Sequence, residues 1–211
     1  MSPRLAALVC LLAMRIASAQ VTLVVSLDEP QPESPLQHMK KELEAVLYPA
    51  NIQVAWRDLK TRPASEDYAE LVVVKLVGRC VADAEAERQL ISINSLGSSA
   101  TSGGRVLPFI ELNCERISQF VQPFLNSQPK MRRELLLGRA MGRVLGHELY
   151  HVLGQVQHHS ASGIARTCFR ARDLLDESFT FDRAALQAIR RQPAQSAASS
   201  LPADSGDSGG R

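Results

Sequence analysis

The chain has 211 residues, of which 45% are hydrophobic and 22% are charged. This length fits one domain of ordinary size, and the hydrophobic fraction is typical of a globular protein, which excludes wholesale disorder and collagen-like or coiled-coil architectures. The formal net charge is only +2, from 24 Lys and Arg against 22 Asp and Glu. We therefore expect no binding to nucleic acid or to an anionic membrane surface.

The first 19 residues have the pattern of a secretory signal peptide. Arg4 supplies a positive charge, and the apolar run Leu5–Met14 has ten residues, about half of what a bilayer span needs. Ala17-Ser18-Ala19 fits the small-x-small cleavage pattern, which leaves Gln20 as the first mature residue. The alternative is an amphipathic first helix of the fold. We predict signal-peptide removal, a secreted or periplasmic location and no membrane span.

The other end of the chain, residues 192–211, is rich in Ala, Ser, Gly and Pro and has one large apolar side chain, Leu201. Such a segment cannot bury enough surface to offset the entropy of ordering it. We predict a disordered tail and a single domain over residues 20–191. Without residues 1–19 the chain loses two arginines and no acid, which leaves 22 basic and 22 acidic side chains.

The first half of this domain alternates strands and a helix. The apolar run Val21–Leu27 predicts a strand, and Ser34-Pro35 predicts the start of a helix that runs to about Tyr48. Ile52–Trp56 predicts the next strand. Leu71–Val77 is nearly continuous in apolar residues, so we expect it to be central and covered on both faces.

The second half becomes helical. We predict an edge strand at Gln89–Ser95, a Gly/Ser loop after it and a further strand at Val106–Leu112. Three helices follow: a short one at Cys114–Phe124, the longest from Ser127 and Pro129 to about Leu153, and a last one at Asp182–Arg191. Gly154 is expected to lie just past the end of the long helix and to stop it. The order predicts an α+β fold, in which a mixed β-sheet packs on helices.

Export would favour one disulfide among the three remaining cysteines. Cys80 and Cys114 each follow a predicted strand, and two strand ends can lie within bridging distance. We therefore favour a Cys80–Cys114 bridge with Cys168 as a spare thiol. The alternative is three free cysteines.

The long helix contains His147-Glu148-Leu149-Tyr150-His151, a match to H-E-x-x-H. Residues four apart lie on the same face of a helix, so the two imidazoles can bind one metal ion. Their helical strip borders the apolar side, whereas Arg132, Arg139 and Arg143 lie on the opposite, solvated arc. The alternative is a pair of core histidines with Glu148 paired to an arginine.

A catalytic zinc site needs a third protein ligand. After Gly154 lets the chain turn back, His158 and His159 follow, and His38 is the only other histidine of the mature chain. The residues themselves leave His158 and His159 open as alternatives.

The motif resembles the zincin metalloproteases, and within them the metzincin-like group, in which H-E-x-x-H-x-x-G-x-x-H spans the helix and the turn after it. His147, Glu148, His151 and Gly154 are in register, but the third-ligand position is Gln157 and the methionine of the following turn is replaced by Ala165. The stretch from His159 to Ile164 is similar to the His-Ser-x-x-Gly-Ile-Met of some secreted bacterial zincin-like proteins. This resemblance favours His159 over His158.

The resemblance implies a zinc metallopeptidase that cleaves peptide or protein substrates. With the signal-peptide pattern it would be secreted, and we expect a monomer. His147, His151 and His159 would hold Zn²⁺, and Glu148 would serve as the general base toward a zinc-activated water. An extended substrate would pair with a sheet edge, for which Gln89–Ser95 and Val106–Leu112 are the candidates. The alternatives are a catalytically inactive zinc-binding zincin-like module with a binding or structural role, and an amide hydrolase of another kind.

Overall fold

The structure is a computed structural model that describes residues 19–27, 29–61, 65–82 and 95–190. All but the last residue of the proposed signal peptide, the predicted tail and nearly all of the predicted strand at Gln89–Ser95 lie outside these ranges. Within them, no helix is both long enough and apolar enough to cross a membrane.

The described residues form five strands and five helices, with a short 3₁₀ turn at Tyr48–Ala50. In chain order they are β1 (Ala19–Leu27), α1 (Glu33–Leu47), β2 (Ile52–Asp58), β3 (Leu71–Val77), β4 (Gly97–Ser102), β5 (Arg105–Asn113), α2 (Cys114–Leu125), α3 (Lys130–Gly154), α4 (Ala171–Leu175) and α5 (Arg183–Arg190). The short helix α4 has no counterpart in the prediction, because five residues are too few to show a helical period.

The strands form one sheet in the order β2-β1-β3-β5-β4. All neighbouring pairs are parallel except β4 with β5, which is antiparallel. The predicted mixed sheet packed on helices is therefore confirmed.

The strand β3 is central, as predicted, but only one of its faces is fully covered by described residues. Val72, Val74 and Leu76 are completely buried, whereas Lys75 is exposed and Val73 is only partly buried. The expectation of two covered faces is wrong because the helices pack against one side of the sheet.

The edge strand differs from the prediction. The Gly/Ser run at Gly97–Ser102, predicted to be a loop, is β4, the outermost strand next to β5. Pairing with β5 overrides the poor strand propensity of these small polar residues. Val106–Leu112 lies within β5, which pairs on both sides, so its expected role as a substrate-binding edge is also wrong.

Helix α3 packs closely on α1 through two glycines. A Cβ at Gly138 would lie 2.6 Å from the carbonyl oxygen of Pro35, and one at Gly142 would lie 2.8 Å from that of Met39. Both distances are too short for a real Cβ, so the two helix backbones can approach this closely only because these positions have no side chain.

The arc of α3 that the helical projection assigned to solvent is exposed at Arg132 but covered at Arg143. Arg143 is 1% exposed, and its Nε donates to Glu42 Oε1 at 2.7 Å while another nitrogen donates to the Asp173 carbonyl at 2.9 Å. Burial of a guanidinium is tolerated because it is paired and hydrogen-bonded. The ion pair with Glu42 joins α3 to α1, and the hydrogen bond to Asp173 joins α3 to α4.

The end of α3 also differs from the prediction. Gly154 is the last helical residue, and Gln155 takes the left-handed conformation, with φ of 49°. The side-chain amide of Gln155 donates to the Val106 and Val152 carbonyls at 3.0 and 2.9 Å, which helps offset the cost of that conformation. Gly154 instead lies against Ala188 of α5.

The predicted disulfide is confirmed. Cys80 and Cys114 are bonded, with their Cα atoms 4.6 Å apart. They come together because β3 and β5 are neighbours in register, with Val77 opposite Asn113. Cys168 is free and exposed.

Candidate metal centre

Two histidines of α3 face each other one helical turn apart. His147 and His151 are each 7% exposed. Nδ1 of His147 lies 2.8 Å from the Ile164 carbonyl, and Nδ1 of His151 lies 2.8 Å from the Val156 carbonyl. A carbonyl oxygen can only accept, so both Nδ1 atoms carry the proton.

With the proton on Nδ1 of each ring, each Nε2 atom carries an unprotonated lone pair. They lie 3.2 Å from each other. Burial lowers the pKa of His147 to about 4 and also lowers the pKa of His151, so both rings are neutral near pH 7 and neither Nε2 has a proton to share.

Two lone pairs that face each other in a buried site repel unless a cation lies between them. Two nitrogens bound tetrahedrally at 2.0–2.1 Å from one zinc ion are about 3.3–3.4 Å apart, close to the separation seen here. Neutral imidazoles held by Nδ1–H to carbonyl bonds are also the usual form of histidine ligands. The residues present therefore fit a zinc ion.

A third imidazole completes the cluster. The nitrogen atoms of His147, His151 and His159 that could bind a metal all lie within 4.8 Å of one another. The His159 ring centroid is 5.2 Å from that of His147 and 4.8 Å from that of His151. His158 is exposed and does not belong to this cluster.

The remaining histidine lies elsewhere. The Cβ of His38, on α1, lies against Gly138, more than two helical turns before His147. It has no place in the cluster.

Glu148 lies beside the histidines and is 6% exposed. Its carboxylate accepts hydrogen bonds from the hydroxyl and backbone N–H of Ser99 on β4, and burial raises its pKa to about 7. Its partner is thus a strand serine rather than the arginine of the alternative interpretation. A carboxyl group with a pKa near neutrality can both accept and return a proton.

The site opens into a cleft of about 480 Å³. One wall is β4 with the residues before it, and the other is the segment that follows α3. The lining includes Ser98, Ser99, Thr101, Gln157 and Thr167 together with the three clustered histidines and Glu148. The edge strand and the candidate ligands therefore share one cleft.

Several contacts of the site have no signal in the sequence. The Phe169 ring packs edge-on against His147, with centroids 5.1 Å apart. Ala165, at the position of the expected methionine, is completely buried. The carbonyl of Val156 and the hydroxyl of Ser99 are likewise supplied by residues that no motif singles out. Ile164 lies in the matched stretch after the helix, but the pattern does not show that its carbonyl accepts from His147.

Because folding raises the pKa of Glu148, the metal-free wild type and a Glu148→Gln variant should differ in stability, and the difference should depend on pH. An acid whose pKa rises from 4.5 to about 7 on folding destabilises the fold as pH rises through that interval. We expect metal-free Glu148→Gln to be more stable than the wild type by about 3 kcal/mol at pH 8, with the difference vanishing near pH 4. Urea titrations of both proteins at several pH values measure it.

The histidines have the opposite effect, since a lowered histidine pKa costs stability as pH falls. They are present in both proteins, so their contribution cancels in the comparison. Equal stability of the two proteins at pH 8 would contradict the assigned burial of an ionised Glu148.

No protein-family model matches the chain, and no curated protein sequence matches it. Among solved structures, the chain is similar to archaemetzincin from Methanopyrus kandleri, with 13% identity and a TM-score of 0.46 over 85% of this chain and 98% of that chain. A likeness of this degree does not show a function. What the structure itself shows is a mixed sheet on helices, with a three-histidine cluster that could hold a metal ion.

Proposed function

We propose that this chain is a secreted zinc-dependent metallopeptidase that hydrolyses peptide bonds in peptide or protein substrates. His147, His151 and His159 would hold the ion, and Glu148 would act as the general base. The observation that carries the proposal is the pair of buried Nε2 lone pairs 3.2 Å apart, in the same cleft as a carboxyl group whose pKa is about 7.

A zinc ion held by His147, His151 and His159 would supply an activated water, with a pKa of about 7, and would polarise a substrate carbonyl. The chain itself supplies the proton transfers. Glu148 accepts a proton from the attacking water and delivers it to the leaving amine, and Ser99 orients the carboxylate through its two hydrogen bonds. The orientation of the imidazoles depends on the carbonyls of Ile164 and Val156.

Strand β4 is the proposed docking edge for an extended substrate. Among the described residues β4 pairs only with β5, so within this part of the chain no strand occupies its other edge, and an extended peptide could add there. Because Ser98, Ser99 and Thr101 line the cleft beside Glu148, a peptide added along β4 would bring its backbone carbonyls close to the histidine cluster.

Metal removal tests the proposal directly. We expect the mature protein to bind one equivalent of Zn²⁺ and to cleave members of a mixed peptide library, with cleavage abolished by a chelator and restored by Zn²⁺. Mass spectrometry of the products and elemental analysis of the protein provide the measurements.

The outcomes separate the candidate functions. Cleavage that persists after complete metal removal would contradict a zinc mechanism. Bound zinc without any cleavage would favour the inactive zinc-binding module instead, and a protein that binds no zinc would contradict both.

A further inference from the structure

The segment that follows α3 reaches the histidine cluster at two points. Residues 159–164, here called the site turn, begin with His159, whose ring lies 4.8 Å from that of His151. The turn ends with Ile164, whose carbonyl accepts from His147. The conformation of this one turn therefore sets both the position of one imidazole and the orientation of another.

A single carboxylate anchors the site turn. The hydroxyls of Ser160 and Ser162 both donate to Oδ2 of Asp182, the latter at 2.9 Å. The other oxygen, Oδ1, accepts from the backbone N–H of Ala185 at 2.8 Å and so caps the start of α5. Asp182 thus joins the turn to a helix that packs against α3.

Backbone contacts also hold the site turn against the residues that directly precede α5. The Ile164 N–H donates to the Thr180 carbonyl at 3.0 Å. Gly163 has φ of +66°, and a Cβ there would lie 2.4 Å from the Thr180 oxygen. Only glycine permits this conformation and this approach without strain.

His159 itself is exposed, so packing of its own side chain does little to fix it. We propose that Asp182 is a positioning residue for the third metal ligand: by holding Ser160 and Ser162 it keeps His159 turned toward His147 and His151. This inference rests on the proposed metal site. Without the two hydroxyl contacts, the turn keeps the backbone bonds from Ser162 to Asp182 and from Ile164 to Thr180, so His159 is held less firmly. Binding a metal must then restrict it further, which weakens affinity.

The experiment removes the hydroxyls and leaves the helix cap intact. In the full mature chain, Ser160→Ala/Ser162→Ala is expected to bind Zn²⁺ about 10–100-fold more weakly than the wild type, measured by competition with a chelating indicator. Co²⁺ absorption spectra should show altered coordination. Ser178→Ala is the matched control, because its hydroxyl donates to Asp176 at 2.7 Å in an exposed turn, and its Zn²⁺ affinity should not change.

A double-mutant cycle separates positioning from a merely structural role. In a His159→Ala background, the two serine substitutions should lose most of their effect on Zn²⁺ affinity, because the ligand that they position is gone and only the orientation of His147 by the Ile164 carbonyl is still affected. An equal loss in both backgrounds, or no loss in either, overturns the inference. If the double variant does not fold, Ser162→Ala alone must show a smaller loss with the same coupling.

Failure of this inference is distinguishable from failure of the proposed function. A wild-type protein that binds no Zn²⁺ contradicts the metal site as a whole. A wild-type protein that binds Zn²⁺ but is indifferent to the serine substitutions contradicts only the role of Asp182.

Discussion

Glu148→Gln is expected to lower kcat for peptide cleavage by about 10²–10⁴-fold while Zn²⁺ affinity stays within a few-fold of the wild type. Glutamine has nearly the same shape and can still accept a hydrogen bond from Ser99 through its carbonyl oxygen. It cannot accept the proton of the attacking water. The loss should therefore lie in kcat rather than in KM, and steady-state kinetics on a peptide identified from the library measures both.

A matched control lies on the same helix. Glu134 is a partly buried carboxylate on α3 whose Oε1 lies 4.0 Å from Nζ of Lys130, and it is far from the cleft. Glu134→Gln should leave kcat, KM and Zn²⁺ affinity unchanged. Wild-type turnover in Glu148→Gln would remove Glu148 from the mechanism, whatever the metal content of the protein.

A large loss of Zn²⁺ affinity is also expected when His159 is replaced, but not when its neighbour His158 is replaced. His159→Ala should weaken Zn²⁺ binding by at least about a thousandfold, because loss of a ligand costs more than the tenfold to hundredfold loss that follows removal of an outer partner. His158→Ala should change affinity by less than about threefold, because His158 is exposed and outside the cluster. Competition titrations with a chelating indicator measure both variants.

Two further variants calibrate this comparison. His147→Ala and His151→Ala each remove one of the facing Nε2 atoms, so both should lose Zn²⁺ at least as completely as His159→Ala. A large loss in His158→Ala with none in His159→Ala would reverse the assignment of the third ligand. Unchanged affinity in both would show that the third ligand is another residue.

The spacing of apolar residues predicted the positions of helices and strands correctly wherever an element buries a continuous apolar face. β1, β3, β5 and α3 have such faces, and their predicted positions agree with the structure to within a few residues. It failed at β4, where Gly97–Ser102 has the composition of a loop. An edge strand of small polar residues forms because its partner β5 is already in place, and that information is not local.

The helical projection of α3 illustrates a second limit. It predicted that the histidines border the buried side, and both are buried. It also predicted a solvated arginine arc, yet Arg143 is buried against Glu42, a hundred residues earlier in the chain. A projection distinguishes the faces of a helix, but it does not show how many of them other elements cover.

The residue pattern alone is enough to predict the chemistry that one helix can present: H-E-x-x-H places two imidazoles and a carboxylate together because a turn of helix has a constant geometry. It also favoured the Cys80–Cys114 bridge, since two strand ends were available. The family resemblance favoured His159 over His158, and the fold places His159 in the cluster. No sequence pattern indicated that Ser99 holds Glu148 or that Asp182 anchors the site turn, since both depend on how distant segments pack. Those two contacts join segments 20 to 49 residues apart, and their formation depends on the packing of the whole sheet and its helices.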